Sequence, residues 1–183
     1  MINLSLARRY AKALLSIGKD DGKFKEYGAE LSSFAYLLQR EPELHDAIVN
    51  PMYARDDRRR VLEKILAMIQ LDPMVSNFLK LLFDKNRIDG IMAITTEYQK
   101  LVDQLENISR AKITSATPLD EGMVERIRQA LEKITSSTVV LEVAEDPAII
   151  GGIVAHVGDL VLDGSVRTQL QSLKETLIRG EVA

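Results

Sequence analysis

The chain of 183 residues contains no cysteine, no tryptophan and only two histidines. The lack of cysteine excludes a disulfide framework, a thiolate nucleophile and thiolate metal ligands. His45 and His156 lie more than one hundred residues apart in the sequence and do not form the local histidine pair of a common metal motif. We therefore expect neither a cofactor nor a metal site.

Long apolar runs are also absent. The longest covers residues 148–155 and contains two glycines, whereas a membrane-spanning helix needs about 18 to 20 apolar residues. Twenty-four basic residues against 27 acidic ones, with a pI near 5.5, lack the positive excess typical of nucleic-acid-binding proteins. We expect no direct membrane insertion and no nucleic-acid partner.

Aromatic residues and charge are unevenly distributed along the chain. All nine tyrosines and phenylalanines lie at or before Tyr98. Residues 1–105 carry a net charge of +1 and residues 106–183 a net charge of −4. This change of composition predicts two domains, 1–105 and 106–183, with the boundary near Glu106.

The first domain has apolar residues at three- and four-residue spacing throughout, which predicts six amphipathic helices. A short third helix should begin at Pro42 and end before Asn50-Pro51, because the residue before a proline disfavours helix. Asp72-Pro73 should open the fifth helix, with a capping carboxylate and a proline in the first turn. Six helices with short connections predict a compact antiparallel bundle.

The second domain changes period and predicts a small α+β unit. Its alternating and β-branched segments indicate strands, and Gly158-Asp159 suits a two-residue hairpin turn with glycine at its first central position. Thr117-Pro118 should cap a helix, with Asp120 completing a capping-box-like pattern. The predicted order is a strand at 111–116, a helix ending near 134, a strand at 138–143, a hairpin of 153–157 and 160–162, and a final helix.

Motifs for catalysis are incomplete. Gly151-Gly152 lacks the spacing and the lysine of a phosphate-binding loop, so we expect a bulge or a close backbone approach there. Asp163-Gly164-Ser165 resembles half of a nucleophile elbow, but Arg167 stands where the second glycine would be. Ser165 is therefore expected to cap the last helix, and the chain is expected not to be an enzyme.

The basic run at residues 55–60 has two interpretations. On a helix, Asp56 would lie three and four residues before Arg59 and Arg60, an arrangement that favours weak ion pairs on a solvated face. The alternative is contact with a partner or an anionic surface.

Two helices have features of a docking surface. The first has small residues, Ala7, Ala11 and Ala13, beside Tyr10 and Leu14. The fifth is apolar over a wider arc than a surface helix needs to face its core. Together they suggest a groove for an amphipathic partner helix. Burial of both faces inside the bundle is the alternative interpretation.

Three segments carry a family resemblance. They are A-R-R-Y-A-K-A-L at 7–14, N-F-L-K-L-L-F-D-K-N-R-I at 77–88, and the stretch 146–173 with its two glycine-containing turns. Together they resemble the delta subunit of F-type ATP synthases, the bacterial counterpart of the oligomycin sensitivity conferral protein.

The resemblance implies a non-catalytic stator subunit whose helical domain binds the N-terminal helices of the alpha subunits and whose second domain binds the C-terminal region of the b-subunit stalk. It also implies a peripheral location at the cytoplasmic face of the cell (inner) membrane, through the complex. The implied head-binding residues are Tyr10, Ala11, Leu14, Asn77, Lys80 and Leu81. The implied structural signature consists of Gly151, Gly152, Gly158, Asp163, Gly164 and Arg167.

Two other classes of function remain open from the sequence. A helical scaffold or regulator unrelated to the synthase would have the same helices without an obligatory second partner. A small hydrolase would need a nucleophile beside a base, and the sequence offers no such pair.

Overall fold

The computed structural model describes residues 3–158 and 160–179. The described part is mainly helical, with eight α-helices and one four-stranded sheet. It divides into two compact units, Met1–Asp103 and Gln104–Ala183. Each unit has its own apolar core.

The first unit is built from helices joined by short connections. One residue separates α2 from α3, and five separate α3 from α4. The helices are α1 (Leu4–Asp20), α2 (Phe24–Arg40), α3 (Pro42–Val49), α4 (Arg55–Ile69), α5 (Pro73–Asp84) and α6 (Ile91–Leu105). A 3₁₀ turn at Ile88–Gly90 precedes α6, so the α-helix begins later than the apolar spacing from Ile88 predicted.

Local signals set several helix ends. Pro42 opens α3, and α3 ends at Val49, before Asn50-Pro51, as predicted. The Asp72 side chain accepts a hydrogen bond of 2.9 Å from the Met74 N–H at the start of α5, which confirms the predicted cap.

The core of the first unit contains two buried tyrosines whose hydroxyls are hydrogen-bonded. Tyr27 donates to Asp21 over 2.8 Å, and Tyr98 donates to the Phe24 carbonyl over 2.8 Å. Burial of both rings raises the pKa of Tyr27 and of Tyr98 to about 12, and the Asp21 carboxylate adds to the shift at Tyr27. Both phenols therefore remain protonated donors at neutral pH.

The second unit has the predicted alternation of strands and helices. Its elements are β1 (Ile108–Ser115), α7 (Glu121–Thr135), β2 (Thr138–Glu145), β3 (Ile153–Val157), β4 (Leu160–Asp163) and α8 (Val166–Arg179). A short 3₁₀ turn at Pro147–Ile149, which the sequence analysis missed, lies between β2 and β3.

The sheet has the strand order β2-β1-β3-β4. β1 runs parallel to β2, with α7 in the connection, and antiparallel to β3. Ile113 is fully buried between Val143 and Ala155 in the pairing register. The core around it is aliphatic and includes Leu131 from α7.

The start of α7 differs from the prediction. The helix begins at Glu121, and Asp120 rather than Thr117 is its N-cap, with the Asp120 carboxylate accepting a 2.6 Å hydrogen bond from the Met123 N–H. The carbonyl of Thr117 instead accepts a 2.7 Å hydrogen bond from the Ser115 hydroxyl. A nearer capping carboxylate and this turn together place the helix start three residues later than expected.

None of the helices in the described residues is both long enough and apolar enough to span a membrane.

Candidate partner-binding surfaces

The structure brings Tyr10 of α1 against α5. Its ring meets the Phe78 ring edge-on, with 6.3 Å between the centroids and an interplanar angle of 70°. Asn77 and Leu81 lie one helical turn apart on α5 and are exposed, while Lys80 is half-buried. Leu81 is 45% exposed, so α5 presents an apolar side chain outside the core. Tyr10, Asn77, Lys80 and Leu81 form what we call the α1–α5 face.

Ala11 and Leu14 are buried, whereas residues that contact a partner are expected to be exposed. Ala11 is 0% exposed and Leu14 is 1% exposed, and both belong to the core of the first unit. Ala7 and Ala11 therefore pack against the unit's own helices, which is the alternative that the sequence left open, whereas Ala13 is exposed. Sequence spacing could not distinguish the two, because a core contact and a partner contact require the same periodicity.

The arginines of α4 also differ from the expected pairing. Arg59 contacts Glu63 at 3.2 Å and Asp84 at 3.6 Å, and Arg60 contacts Asp57 at 3.5 Å, so the ion pairs found for them do not involve Asp56. The exposed pairs agree with a solvated face.

Arg58 has a structural role that the sequence analysis missed. Its Nε donates a 2.8 Å hydrogen bond to the Ile48 carbonyl at the end of α3. Its guanidinium carbon lies 5.3 Å from the centroid of the Phe83 ring on α5. One side chain thus ties α4 to two other helices, and both contacts are long-range relationships that spacing along α4 does not show.

The glycines of the C-terminal signature form a backbone joint. Gly152 has φ of +79°, and a Cβ atom there would collide with the carbonyl oxygen of Gly164. The Val166 N–H donates to the Gly151 carbonyl over 2.9 Å, and the Gly164 N–H donates to the Ile153 carbonyl over 2.9 Å. The expected close backbone approach is therefore present, and it fixes the start of α8 against the chain entering β3.

Asp163 and Ser165 order the turn before α8. The Asp163 carboxylate accepts 2.8 Å hydrogen bonds from the Ser165 N–H and the Thr168 hydroxyl. The Ser165 N–H, followed by the Thr168 hydroxyl, lowers the pKa of Asp163. Ser165 is almost fully buried, and its hydroxyl accepts a 3.2 Å bond from the Thr168 N–H, which confirms the predicted cap. Arg167 is exposed.

Gly158 has φ of +57°, as the predicted hairpin between β3 and β4 requires. The other residue of that turn, Asp159, lies outside the described residues.

The last helix exposes an apolar stripe. Leu170 and Leu173 are more than half exposed, and Val166 on the same side is 37% exposed. Among the α8 side chains that the structure describes, none belongs to the core of the second unit. Ile150, exposed at 66%, lines a shallow depression together with Leu170 and Ile178. We call these five residues the α8 stripe; their exposure leaves apolar area that a partner could cover.

No group of three or more histidines, cysteines or carboxylates among the described residues could hold a metal ion. His45 lies near one carboxylate, with Nε2 3.4 Å from Asp89, and His156 is exposed.

The comparison with protein families decides between the alternatives. The model of the ATP synthase delta (OSCP) subunit matches residues 6–177. The chain belongs to this family. The delta (OSCP) subunit is a non-catalytic part of the F-type ATP synthase, and membership of this family excludes a scaffold unrelated to the synthase.

Curated relatives and a solved structure agree with the assignment. ATP synthase subunit delta of Desulfatibacillum aliphaticivorans is 48% identical over 99% of both chains. The subunit delta of Desulfosudis oleivorans is 46% identical over 99% of both. A chain in the Toxoplasma gondii mitochondrial ATP synthase hexamer has a TM-score of 0.70 at 20% identity, covering 94% of this chain and 97% of that one. This chain therefore shares its fold with a chain of that assembly.

Proposed function

We propose that this delta subunit joins the catalytic head of the synthase to the b-subunit peripheral stalk, so that rotation of the rotor is coupled to ATP synthesis. A head that turned with the rotor would make no ATP, and a subunit with two binding surfaces prevents that without any chemistry of its own. The observation that carries the proposal is that each compact unit has its own core and its own exposed apolar surface.

The α1–α5 face is proposed to bind the N-terminal helices of the alpha subunits. Tyr10 and Leu81 supply partly exposed apolar area, and Asn77 and Lys80 supply polar groups beside it. An amphipathic helix recognises such a face through residues spaced three and four apart. Ala11 and Leu14 support this face from within, because they fix α1 in the core.

The α8 stripe is proposed to bind the C-terminal region of the b subunit. Burying exposed leucine and isoleucine side chains against a partner releases about 25 cal/mol for each Å² of apolar area removed from water. The signature glycines serve this surface indirectly, because the joint at Gly152 and Gly164 sets where α8 begins.

Two modest interfaces act together in such a link. Once one surface is bound, the other is held near its partner at a raised effective concentration, so the assembled stator is tighter than either contact alone. We infer that domain 1–105 binds the head and that domain 106–183 binds the stalk. We also infer that the first domain is an antiparallel six-helix bundle, which its single core and its short connections support. Attachment through the complex would place the subunit at the cytoplasmic face of the cell (inner) membrane.

Four single substitutions in the full chain test the two surfaces separately. Leu81→Glu should weaken binding to an alpha-subunit N-terminal peptide by about tenfold or more, and Leu173→Glu should do the same for the b-subunit stalk. Met68→Glu and Ile134→Glu place the same charge at exposed apolar positions outside both surfaces. Calorimetric titration gives the affinities, and ATP-driven proton pumping in inverted vesicles gives the coupling.

The pattern of losses is the decisive result. Each surface variant should lose one partner, keep the other and pump fewer protons per ATP hydrolysed, while both controls behave as wild type. Loss of both partners in folded Leu81→Glu, or normal binding and pumping in both surface variants, would overturn the assignment of the two surfaces.

A further inference from the structure

A groove between α1 and α6 lies apart from the surfaces assigned above. It is an open depression of about 620 Å³, lined mainly by Leu4, Arg8, Arg9 and Lys12 of α1 and by Glu97 and Lys100 of α6. At 100° per residue, Arg8 and Lys12 lie on one side of the buried row of Ala7 and Ala11, and Tyr10 lies on the other. The groove therefore flanks α1 on the side away from the α1–α5 face.

Positive charge in this groove is not neutralised within the described chain. Glu97 is its one acidic lining residue, and Lys100 already contacts that carboxylate at 2.9 Å. Arg8, Arg9 and Lys12 form no ion pair among residues 3–158 and 160–179 and are exposed. By contrast, Arg55 and Arg59 of the same unit have an acidic partner in Asp84. Three unpaired cations side by side repel one another, and an anionic ligand would relieve that repulsion.

The spacing of the cations along α1, an exposed leucine beside them and the negative net charge of the chain favour a helical peptide as that ligand. Arg8 and Lys12 are one turn apart on the same side of α1, so carboxylates three or four residues apart on a partner helix can face both. Leu4 at the end of the groove is 69% exposed and offers an apolar contact. The chain as a whole is acidic, with a net charge of −3, which disfavours approach to polyanions such as nucleic acids or anionic lipid surfaces.

We propose that the α1–α6 groove binds an acidic amphipathic helix of another polypeptide, through Arg8, Lys12 and Lys100 with Leu4 as an apolar anchor. This surface is separate from the α1–α5 face and the α8 stripe. It would let α1 contact two different segments at once. The proposal does not depend on which subunit occupies the α1–α5 face.

The test uses the full chain and a designed peptide. The probe is a fluorescent helical peptide of 20 residues with glutamates at every fourth position and leucines beside them; in the matched peptide the glutamates are glutamines. Fluorescence anisotropy should show binding of the glutamate peptide at low salt, at least about tenfold weaker binding of the glutamine peptide, and weakening as salt rises.

Charge-reversal variants locate the site. The double variant Arg8→Glu and Lys12→Glu should bind the glutamate peptide at least about tenfold more weakly, and Lys12→Gln should lose part of the affinity. Lys64→Glu, at an exposed helical lysine outside the groove, should bind within about twofold of wild type. Leu81→Glu should also bind this peptide normally, which separates a failure here from a failure of the head-binding proposal.

Four results would overturn the proposal, the first three with the peptides and variants. These three are equal binding of both peptides, wild-type affinity in the folded double variant, and an equal loss in Lys64→Glu. A fourth is tighter binding to phosphatidylserine vesicles than to the peptide with the same dependence on Arg8 and Lys12, since that would make the groove a lipid site. Because both residues are exposed, circular dichroism should show the double variant folded; Lys12→Gln carries the test if it is not.

Discussion

Gly152 lies so close to the carbonyl oxygen of Gly164 that no side chain fits between them. Gly158 also has positive φ, but a Cβ atom there would meet nothing within 4 Å. Gly152 lies just before β3 and Gly158 in the turn after it, and only at Gly152 would a side chain collide with the backbone. Substitutions at the two positions therefore separate the cost of a left-handed backbone from the cost of a steric collision.

The comparison of Gly152→Ala with Gly158→Ala follows from this difference. Gly158→Ala should reduce the free energy of unfolding of the second unit by about 1 kcal/mol, the usual cost of a left-handed non-glycine residue. Gly152→Ala should cost clearly more, because the backbone must also move away from Gly164. Chemical denaturation of both variants measures the difference, and equal losses would contradict the close-approach role of Gly152.

Arg58→Ala should destabilise the first unit by about 1 to 3 kcal/mol, because it removes a charge-assisted hydrogen bond to Ile48 and the contact with the Phe83 ring. Arg60→Ala is the matched control, because the ion pair that Arg60 forms among the described residues, with Asp57, is exposed. Its loss should change stability by less than about 0.5 kcal/mol. Thermal unfolding of the two variants is the measurement. Similar losses would mean that Arg58 acts only as a surface charge.

Ala11→Leu should destabilise the first unit by about 1 to 3 kcal/mol through overpacking, because Ala11 is completely buried. Lys12→Ala, at the next position and exposed, should be nearly neutral. If Ala11→Leu instead leaves the melting temperature unchanged while abolishing binding of an alpha-subunit peptide, Ala11 belongs to the docking surface after all.

Asp163 should make the second unit sensitive to acid. Its folded pKa lies below the ordinary carboxyl value of 3.8, so its stabilising contribution is complete above that value and is lost as the pH falls through the lower folded value. Asp163→Asn should therefore unfold more easily than wild type at neutral pH, with the difference fading below about pH 3.8. Hydrogen exchange of β3, β4 and α8 follows this unit alone. A difference that stayed constant down to about pH 2 would contradict the role of the Asp163 charge.

Residues 1–105 should fold alone. The described core residues of the first unit lie between Ala7 and Val102. Circular dichroism of this fragment should show high helix content and one cooperative thermal transition. A fragment that melts without cooperativity would show that the second unit is needed for folding.

The sequence predicted best those features that depend on neighbouring residues. Pro42, Asn50-Pro51 and Asp72-Pro73 mark helix ends by their own backbone restrictions and capping groups, and the helices do begin or end there. Gly158 was identified in the same way, because a tight hairpin demands positive φ.

What the sequence did not predict depends on residues far apart. In the sequence, Arg58 is one of three consecutive arginines. Its contacts with Ile48 of α3 and Phe83 of α5 become visible only in the folded unit. Ala11 and Leu14 have the spacing of either a core or a docking face, and only the packed helices show that they are core. At Asp120 two capping signals competed, and the one nearer the helix prevailed.

The position of β1 in the sheet has a consequence for the order of folding. Both of its neighbours, β2 and β3, follow it in the sequence, so β1 has no partner until Thr138 and later residues have been synthesised. The described core residues of the helical unit end at Val102, before β1 begins. During synthesis the helical unit can therefore fold before β2 and β3, the partners of β1, have been made. A folded helical unit would then already be present when the sheet forms.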